Sequence, residues 1–191
     1  MVFGQATLLP PAAMGAPEGF DYEPNFISDS EERALLEWIE GVQFRTFEMR
    51  GQEAKRRVAH FGWNYGYYDA RVTPGVELPE ALLPLRDRVA AFLGVPASDL
   101  VEALVTEYTP GAGIGWHRDA PVFDIVAGVS LLADSDFRFR RGEAGRSIPL
   151  TVARRSVYKL TGEARWGWQH HIPPMKQLRY SITFRTLRKR P

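Results

Sequence analysis

The second half of this chain constrains its fold most. From Val101 onward, six short segments follow one another at close spacing: VEALVTEY, IVAGVSLL, DFRFRR, SVYKL, RWGWQHHI and RYSITFR. Each is rich in Val, Ile, Thr, Tyr, Phe or Trp, residues that fit a pleated, half-buried surface. Stretches holding Gly and Pro punctuate them. Short strands in close succession with turn signals between them predict a sandwich or barrel.

The first half reads differently. SDSEERALLEWIEGV opens on Ser28 with Glu31 three residues on, a capping-box pattern. Leu35, Trp38, Ile39 and Val42 then recur at helical spacing, which predicts an amphipathic helix. PEALLPLRDRVAAFLG predicts a second, with Leu82, Leu85, Val89 and Phe92 as its apolar stripe, Pro79 at its start and Gly94 at its end. Between them, HFGWNYGYYDA is aromatic and reads as a hairpin. No linker separates front from back, so helices packed on a β core form one domain over 21–191. With 191 residues the chain is long enough for a real core. Residues 1–20 lack a basic n-region and are broken by prolines, which predicts a flexible arm that is not cleaved.

Composition excludes several classes. The absence of cysteine removes disulfides, thiolate metal sites and a cysteine nucleophile. No apolar run approaches the roughly 20 residues of a membrane span, so a cytoplasmic protein is the default expectation. The net charge of +1 does not by itself argue for nucleic acid. RRVAH after Lys55 and RTLRKR near the C-terminus are basic patches, read either as solvated faces or as phosphate contacts.

Four histidines occur, at 60, 117, 170 and 171. In a strand, residues i and i+2 share a face, so His117 and Asp119 would aim into one space with Arg118 turned away. Imidazole and carboxylate are two of the three groups of a 2-His-1-carboxylate site, which holds Fe(II) with open positions. The third ligand is expected from a later strand, where His170 and His171 both stand. The competing reading is a His–Asp hydrogen bond on a surface loop. In RYSITFR, Arg179, Ser181, Thr183 and Arg185 fall on one face, and Tyr180, Ile182 and Phe184 on the other. That polar face is either wet or turned to a ligand; a guanidinium offers a rigid fork to a carboxylate. Thr106 and Tyr108 share a face upstream of the His-x-Asp. Together these residues describe a pocket for an anionic co-substrate that chelates iron.

EYTPGAGIGWHRD, LTGEARWGWQHHI and RYSITFR, in this order and spacing, resemble the core motifs of the AlkB-like Fe(II)/2-oxoglutarate dioxygenases. The similarity runs from about Phe26 to Arg185. It implies an α+β, mostly β fold: a double-stranded β-helix, or jelly roll, over 101–187, buttressed by the N-terminal helices, with a nucleotide-recognition lid over 44–72. Carried over by the resemblance, His117, Asp119 and His170 bind iron. His170 is chosen because it follows RWGWQ where the family reads Trp-x-His-Gly-Ile; His171 then stands where glycine is common. Arg179 matches the arginine that pairs with the distal carboxylate of 2-oxoglutarate. Tyr108 matches its supporting tyrosine, and Arg185 the second arginine near the metal-bound end. Thr106 and Ser181 stand where the best-known members carry asparagine, and as hydroxyls they can still hydrogen-bond the co-substrate. Pro121 replaces an acid of the repair members, a departure that bears on substrate range.

The implied activity is oxidative dealkylation with Fe(II), 2-oxoglutarate and O2. The co-substrate leaves as succinate and CO2, an N-methyl carbon is hydroxylated, and the product falls apart to formaldehyde and the bare nitrogen. The implied substrate is an alkylated nucleobase in DNA or RNA, met by a monomer and without a membrane. Trp63 sits where a base-stacking aromatic is expected, beside Tyr65. Arg56, Arg57 and the tail residues Arg188, Lys189 and Arg190 could meet phosphates. Core packing is the competing role for the aromatics, and His60 reads as structural. Two alternatives stand: the same chemistry on a protein side chain or small molecule, and a non-catalytic nucleic-acid-binding module.

Overall fold

The first expected helix forms where its cap predicts. Helix α1 is Asp29–Glu40, and the Ser28 and Glu31 side chains each accept a hydrogen bond from the other's backbone N–H, at 3.2 and 2.7 Å. The structure, a computed structural model, describes residues 15–189 apart from 47, 50–51 and 66–71; the side chains of 48–49, 52–53, 64–65, 72 and 74 also lie outside it. The second helix begins as a 3-10 turn at Glu80–Leu82 and continues as α2, Leu83–Leu93. Gly94 ends it in the left-handed region, at φ +70°, which glycine adopts without penalty.

Strands build the rest. They are β1 Phe20–Glu23, β2 Glu48–Met49, β3 Gln52–Glu53, β4 Arg57–Tyr65, β5 Val72–Pro74, β6 Leu100–Tyr108 and β7 Ile114–His117. Then follow β8 Phe123–Leu131, β9 Ser135–Arg140, β10 Ile148–Val152, β11 Val157–Leu160, β12 Gln169–Ile172 and β13 Arg179–Leu187. A seven-stranded sheet runs β1-β11-β8-β13-β6-β4-β5, and a four-stranded sheet runs β10-β9-β12-β7. Every pairing recorded is antiparallel. The two sheets form a double-stranded β-helix.

Alternation along the strands divides two cores. Ala103, Val105, Ala127, Val129, Ile182 and Phe184 turn outward from the large sheet and pack against Leu35, Ile39, Leu85 and Val89 of the helices. Phe20, Tyr108, Val126, Phe137, Phe139, Leu150, Tyr158 and Ile172 fill the space between the sheets. Glu32 is fully buried in α1; it accepts from Leu132 N at 2.8 Å and from Arg154 Nε at 2.7 Å, tying the helix to the sheet behind it.

Two expectations change and a third is met. RWGWQHHI is not one strand: its start belongs to helix α3, Gly162–Trp166, and only Gln169–Ile172 is extended. Good helix formers at Glu163, Ala164 and Arg165 account for the difference. Of the arm expected at 1–20, residues 1–14 lie outside the described part, whereas Pro17 is buried and Phe20 already belongs to β1. HFGWNYGYYDA enters a hairpin, with Trp63 opposite Pro74 and Tyr65 opposite Val72; its turn falls among the residues not described. Among the described residues, no helix is long and apolar enough to cross a membrane.

Candidate metal and co-substrate site

The small sheet brings two histidines together. His170 on β12 pairs directly with His117 on β7, and their rings lie 4.1 Å apart. His170 also stacks on Phe137, centroids 5.2 Å apart, which fixes its plane. Its neighbour faces the other way: His171 lies against Trp116 at 5.0 Å, with Nδ1 donating to Ile114 O at 2.6 Å. Strand alternation thus separates the histidines that the sequence left side by side. His117 Nδ1 lies 2.9 Å from Gly115 O. That contact assigns the proton to Nδ1 and leaves Nε2 as a lone-pair donor.

Asp119 completes the cluster by a different route from the one its spacing suggests. β7 ends at His117, so the i, i+2 strand argument does not reach Asp119. Two arginines hold it instead. Arg185 Nε and Nη2 both donate to Oδ1, at 3.1 and 2.8 Å. Arg165, 2% exposed on α3, donates to Ala120 O, Phe123 O and Asp124 O at 2.8, 2.8 and 3.1 Å, so it clamps the turn that follows Asp119. One ligand atom each from His117, Asp119 and His170 lie within 4.8 Å of one another.

Electrostatics suits the cluster to a cation. Burial pushes both histidines below their ordinary range, His170 to about 3, so both are neutral ligands at neutral pH. Burial alone would raise the Asp119 carboxyl, but Arg185, His170, His117 and Arg165 outweigh it and hold it well below the usual carboxylate range. Asp119 Oδ2 is buried with no hydrogen-bond partner among the described residues, and it faces His170 Nε2 at 3.5 Å. An orphaned carboxylate oxygen beside two neutral imidazoles fits a divalent metal.

A second charged group waits deeper in. Arg179 is fully buried, directly opposite Tyr108 on β6, with its guanidinium carbon 5.1 Å from that ring's centre. Nε donates to Ser130 Oγ at 3.0 Å, while Nη1 has no partner among the described residues. A buried cation with an unanswered N–H calls for an anion. Thr106 and Ser181, opposite each other on β6 and β13, line the same cleft as Tyr108 and the triad residues.

That cleft has a volume of about 760 Å³. It is also lined by Trp38 and Phe61, which pack against the helix-side core, and by the cations Arg45, Arg56 and Arg118. Of the expected substrate residues, Trp63 is half-buried on β4 and is not among the described residues lining the cleft; the Tyr65 side chain and Arg190 are outside the described part. Arg57 is committed to Glu107 by a fork of 2.6 and 3.0 Å, although its side chain remains 47% exposed. Arg188 lies 4.8 Å over the Trp166 ring, at a separate cleft with Lys189. His60 has a partner that its sequence did not suggest: Glu102, 1% exposed, meets His60 Nδ1 at 3.1 Å and Arg185 Nη1 at 2.7 Å. Glu102, Ser130, Tyr158 and Arg165 all escape sequence reading, because each sits in a run whose pattern signals only strand or helix.

Residues 19–185 match the family described as the 2OG-Fe(II) oxygenase superfamily. The chain belongs to that superfamily. As one of its dioxygenases it works with Fe(II), 2-oxoglutarate and O2, and it is similar to proteins named as ALKBH members. It is 30% identical over 165 residues to the tRNA (carboxymethyluridine(34)-5-O)-methyltransferase ALKBH8 of Macaca fascicularis, covering 82% of this chain and 24% of that one. It is 28% identical to the alkylated DNA repair protein ALKBH8 homolog of Arabidopsis thaliana, covering 88% of this chain and 58% of the other. The chain therefore spans about a quarter to somewhat over half of these relatives. Among solved structures, OsALKBH1 shares the fold with a TM-score of 0.63 at 18% identity, over 88% of this chain and 98% of that one.

Proposed function

We propose that this oxygenase removes alkyl groups from nitrogens of nucleobases in DNA or RNA, as in the repair of alkylation damage. The observation that carries this reading is the continuity of one cleft, from His117, Asp119 and His170 out to aromatic and cationic walls. A flipped or single-stranded base needs an aromatic face and cations for its phosphates. Relatives named for tRNA and for alkylated DNA support the same class.

In this reading His117, Asp119 and His170 hold the iron. With iron, 2-oxoglutarate and O2 bound, the centre supplies the oxygen atom that hydroxylates a substrate C–H bond as succinate and CO2 are released. The chain's own residues do the positioning. Arg185 takes one oxygen of Asp119 and leaves the other for the metal. Arg179 receives the distal carboxylate of the co-substrate, with Tyr108, Thr106 and Ser181 around it. Trp63 and Tyr65 stack the base in this proposal. Arg57 contributes through its exposed flank only, since its fork is held by Glu107.

Methylated single- and double-stranded oligonucleotides incubated with the enzyme, iron, ascorbate and 2-oxoglutarate test this by mass spectrometry. Loss of methyl mass with formaldehyde release is expected. Steady succinate production, with no oligonucleotide altered or bound, would instead assign the chemistry to a protein or small-molecule substrate.

A further inference from the structure

Glu102 lies buried in the wall of the cleft, and its two oxygens answer different groups. Oε2 accepts from Arg185 Nη1 at 2.7 Å, and Oε1 accepts from His60 Nδ1 at 3.1 Å. Arg185 in turn donates to Asp119 at 2.8 Å, so three successive hydrogen bonds lead from His60 to the metal cluster. The strand registers fix where this chain of bonds lies. Glu102, Leu104, Thr106 and Tyr108 alternate along β6 and all line the cleft. Tyr108 stands opposite Arg179 and Glu102 opposite Arg185, while His60 on β4 stands opposite Leu104. Roughly 20 Å of extended strand separates Tyr108 from Glu102. The distal carboxylate of the co-substrate is assigned to the Tyr108 end, which leaves the His60 end to the substrate.

A carboxylate only accepts hydrogen bonds. Glu102 therefore draws the ring proton of His60 to Nδ1, and since Arg185 already answers its charge, the ring meets it as a neutral donor. Nε2, on the other side of the ring, keeps a lone pair. It makes no hydrogen bond among the described residues, and the side chain is 24% exposed where it lines the cleft. Glu102, 1% exposed and held at both oxygens, fixes the ring before any ligand arrives. The lining residues beside His60, Val58 on its own strand and Leu104 opposite, are apolar. The lone pair thus sets the hydrogen-bonding character of that stretch of wall. We infer that His60 is a substrate contact, its Nε2 accepting from an N–H on the edge of the base, so that it favours bases presenting an amino group there over bases presenting a carbonyl. The inference rests on the nucleobase reading proposed above. A carbonyl at that point would face Nε2 with no hydrogen between them, and an unmade hydrogen bond is costly in a closed site.

The test gives the whole chain, with iron and 2-oxoglutarate, single-stranded oligonucleotides carrying either 1-methyladenine, which has an amino group beside the methylated nitrogen, or 3-methyluracil, which has only carbonyls there. Both are made as DNA and as RNA, and the ratio of the two kcat/KM values is read. His60→Asn keeps an N–H for Glu102 but places no acceptor where Nε2 was. Its ratio of 1-methyladenine to 3-methyluracil should fall roughly 10-fold, in the range for one hydrogen bond lost. Glu102→Gln tests the same contact from the other partner. Its oxygen must stay with Arg185, which only donates, so its NH2 turns to Nδ1 and moves the ring proton to Nε2. The contact then donates instead of accepting, and the ratio should fall below that of His60→Asn. An unchanged ratio in either variant overturns the inference. So does a loss in His60→Asn that both oligonucleotides share equally, since that makes His60 a packing element. A wild type that makes succinate but alters neither oligonucleotide overturns the nucleobase reading, and this contact with it.

Discussion

Arg185 and Asp119 meet through two hydrogen bonds to a single oxygen: Nε and Nη2 both donate to Oδ1, leaving Oδ2 to face His170. The third guanidinium nitrogen, Nη1, is held by Glu102. One planar fork thus fixes which carboxylate oxygen is available to a metal. An ammonium cannot span Asp119 and Glu102 together. Arg185→Lys should therefore weaken Mn(II) binding by about 10-fold, within the range for groups that orient a metal ligand. A titration indistinguishable from wild type would show that the fork does not orient the ligand.

Replacing His117, Asp119 or His170 by Ala should abolish stable iron loading, whereas His171→Ala should retain it. The basis is the opposed facing of His170 and His171 on β12. Iron per chain after anaerobic loading and desalting decides. If His171→Ala empties the site and His170→Ala does not, the assignment of the two histidines is reversed.

Loss of Arg179 should weaken 2-oxoglutarate binding by about 2–5 kcal/mol, the usual cost of truncating one partner of a buried charge pair. Arg179→Lys should recover little, because the lysine lacks the fork that meets Ser130 with Nε and leaves Nη1 for a ligand. The iron–oxoglutarate charge-transfer band reports the midpoint. A midpoint unmoved in Arg179→Ala would place the distal carboxylate elsewhere.

The metal-free protein should lose stability on mild acidification. Burial, then His117, pushes His170 down to about 3 in the fold, against about 6.5 in the unfolded chain. Between those values the unfolded state binds the extra proton, so stability rises with pH across the window and falls as pH drops through it. His170→Gln removes the titrating group and should flatten the slope. Urea midpoints at about pH 7.5 and pH 5 measure it; equal slopes in the two proteins would count against His170 as the source.

What the sequence made legible was whatever a short pattern can encode. The capping box at Ser28 and Glu31 and the alternation in RYSITFR depend on local spacing, and local spacing survives folding; His170, which meets His117 across a strand pair, was told from His171 by the family resemblance alone. The His-x-Asp pair came together although its stated reason failed, since Asp119 lies past the end of β7 and is held by arginines from β13 and α3. Glu102 could not be found that way. Its importance lies in facing Arg185 across a strand pair and His60 along the next strand, and neither relation leaves a mark in VEALVTEY. Arg57 shows the converse: a basic patch in sequence becomes an ion pair once Glu107 is its cross-strand neighbour.

The central position of β13 has a consequence for biogenesis. It is the last strand of the described chain to be made, yet it is inserted between β8 and β6 and carries both Arg179 and Arg185. A nascent chain thus presents His117, Asp119 and His170 well before the groups that orient Asp119 and receive the co-substrate. Until β13 arrives, β8 and β6 border a gap with unpaired backbone edges, the kind of surface that invites association between chains. Closing that gap requires contacts between residues distant in sequence, the slow kind in folding. Maturation of the site and protection of the sheet from aggregation are thus one event in the life of this chain, timed by the emergence of β13.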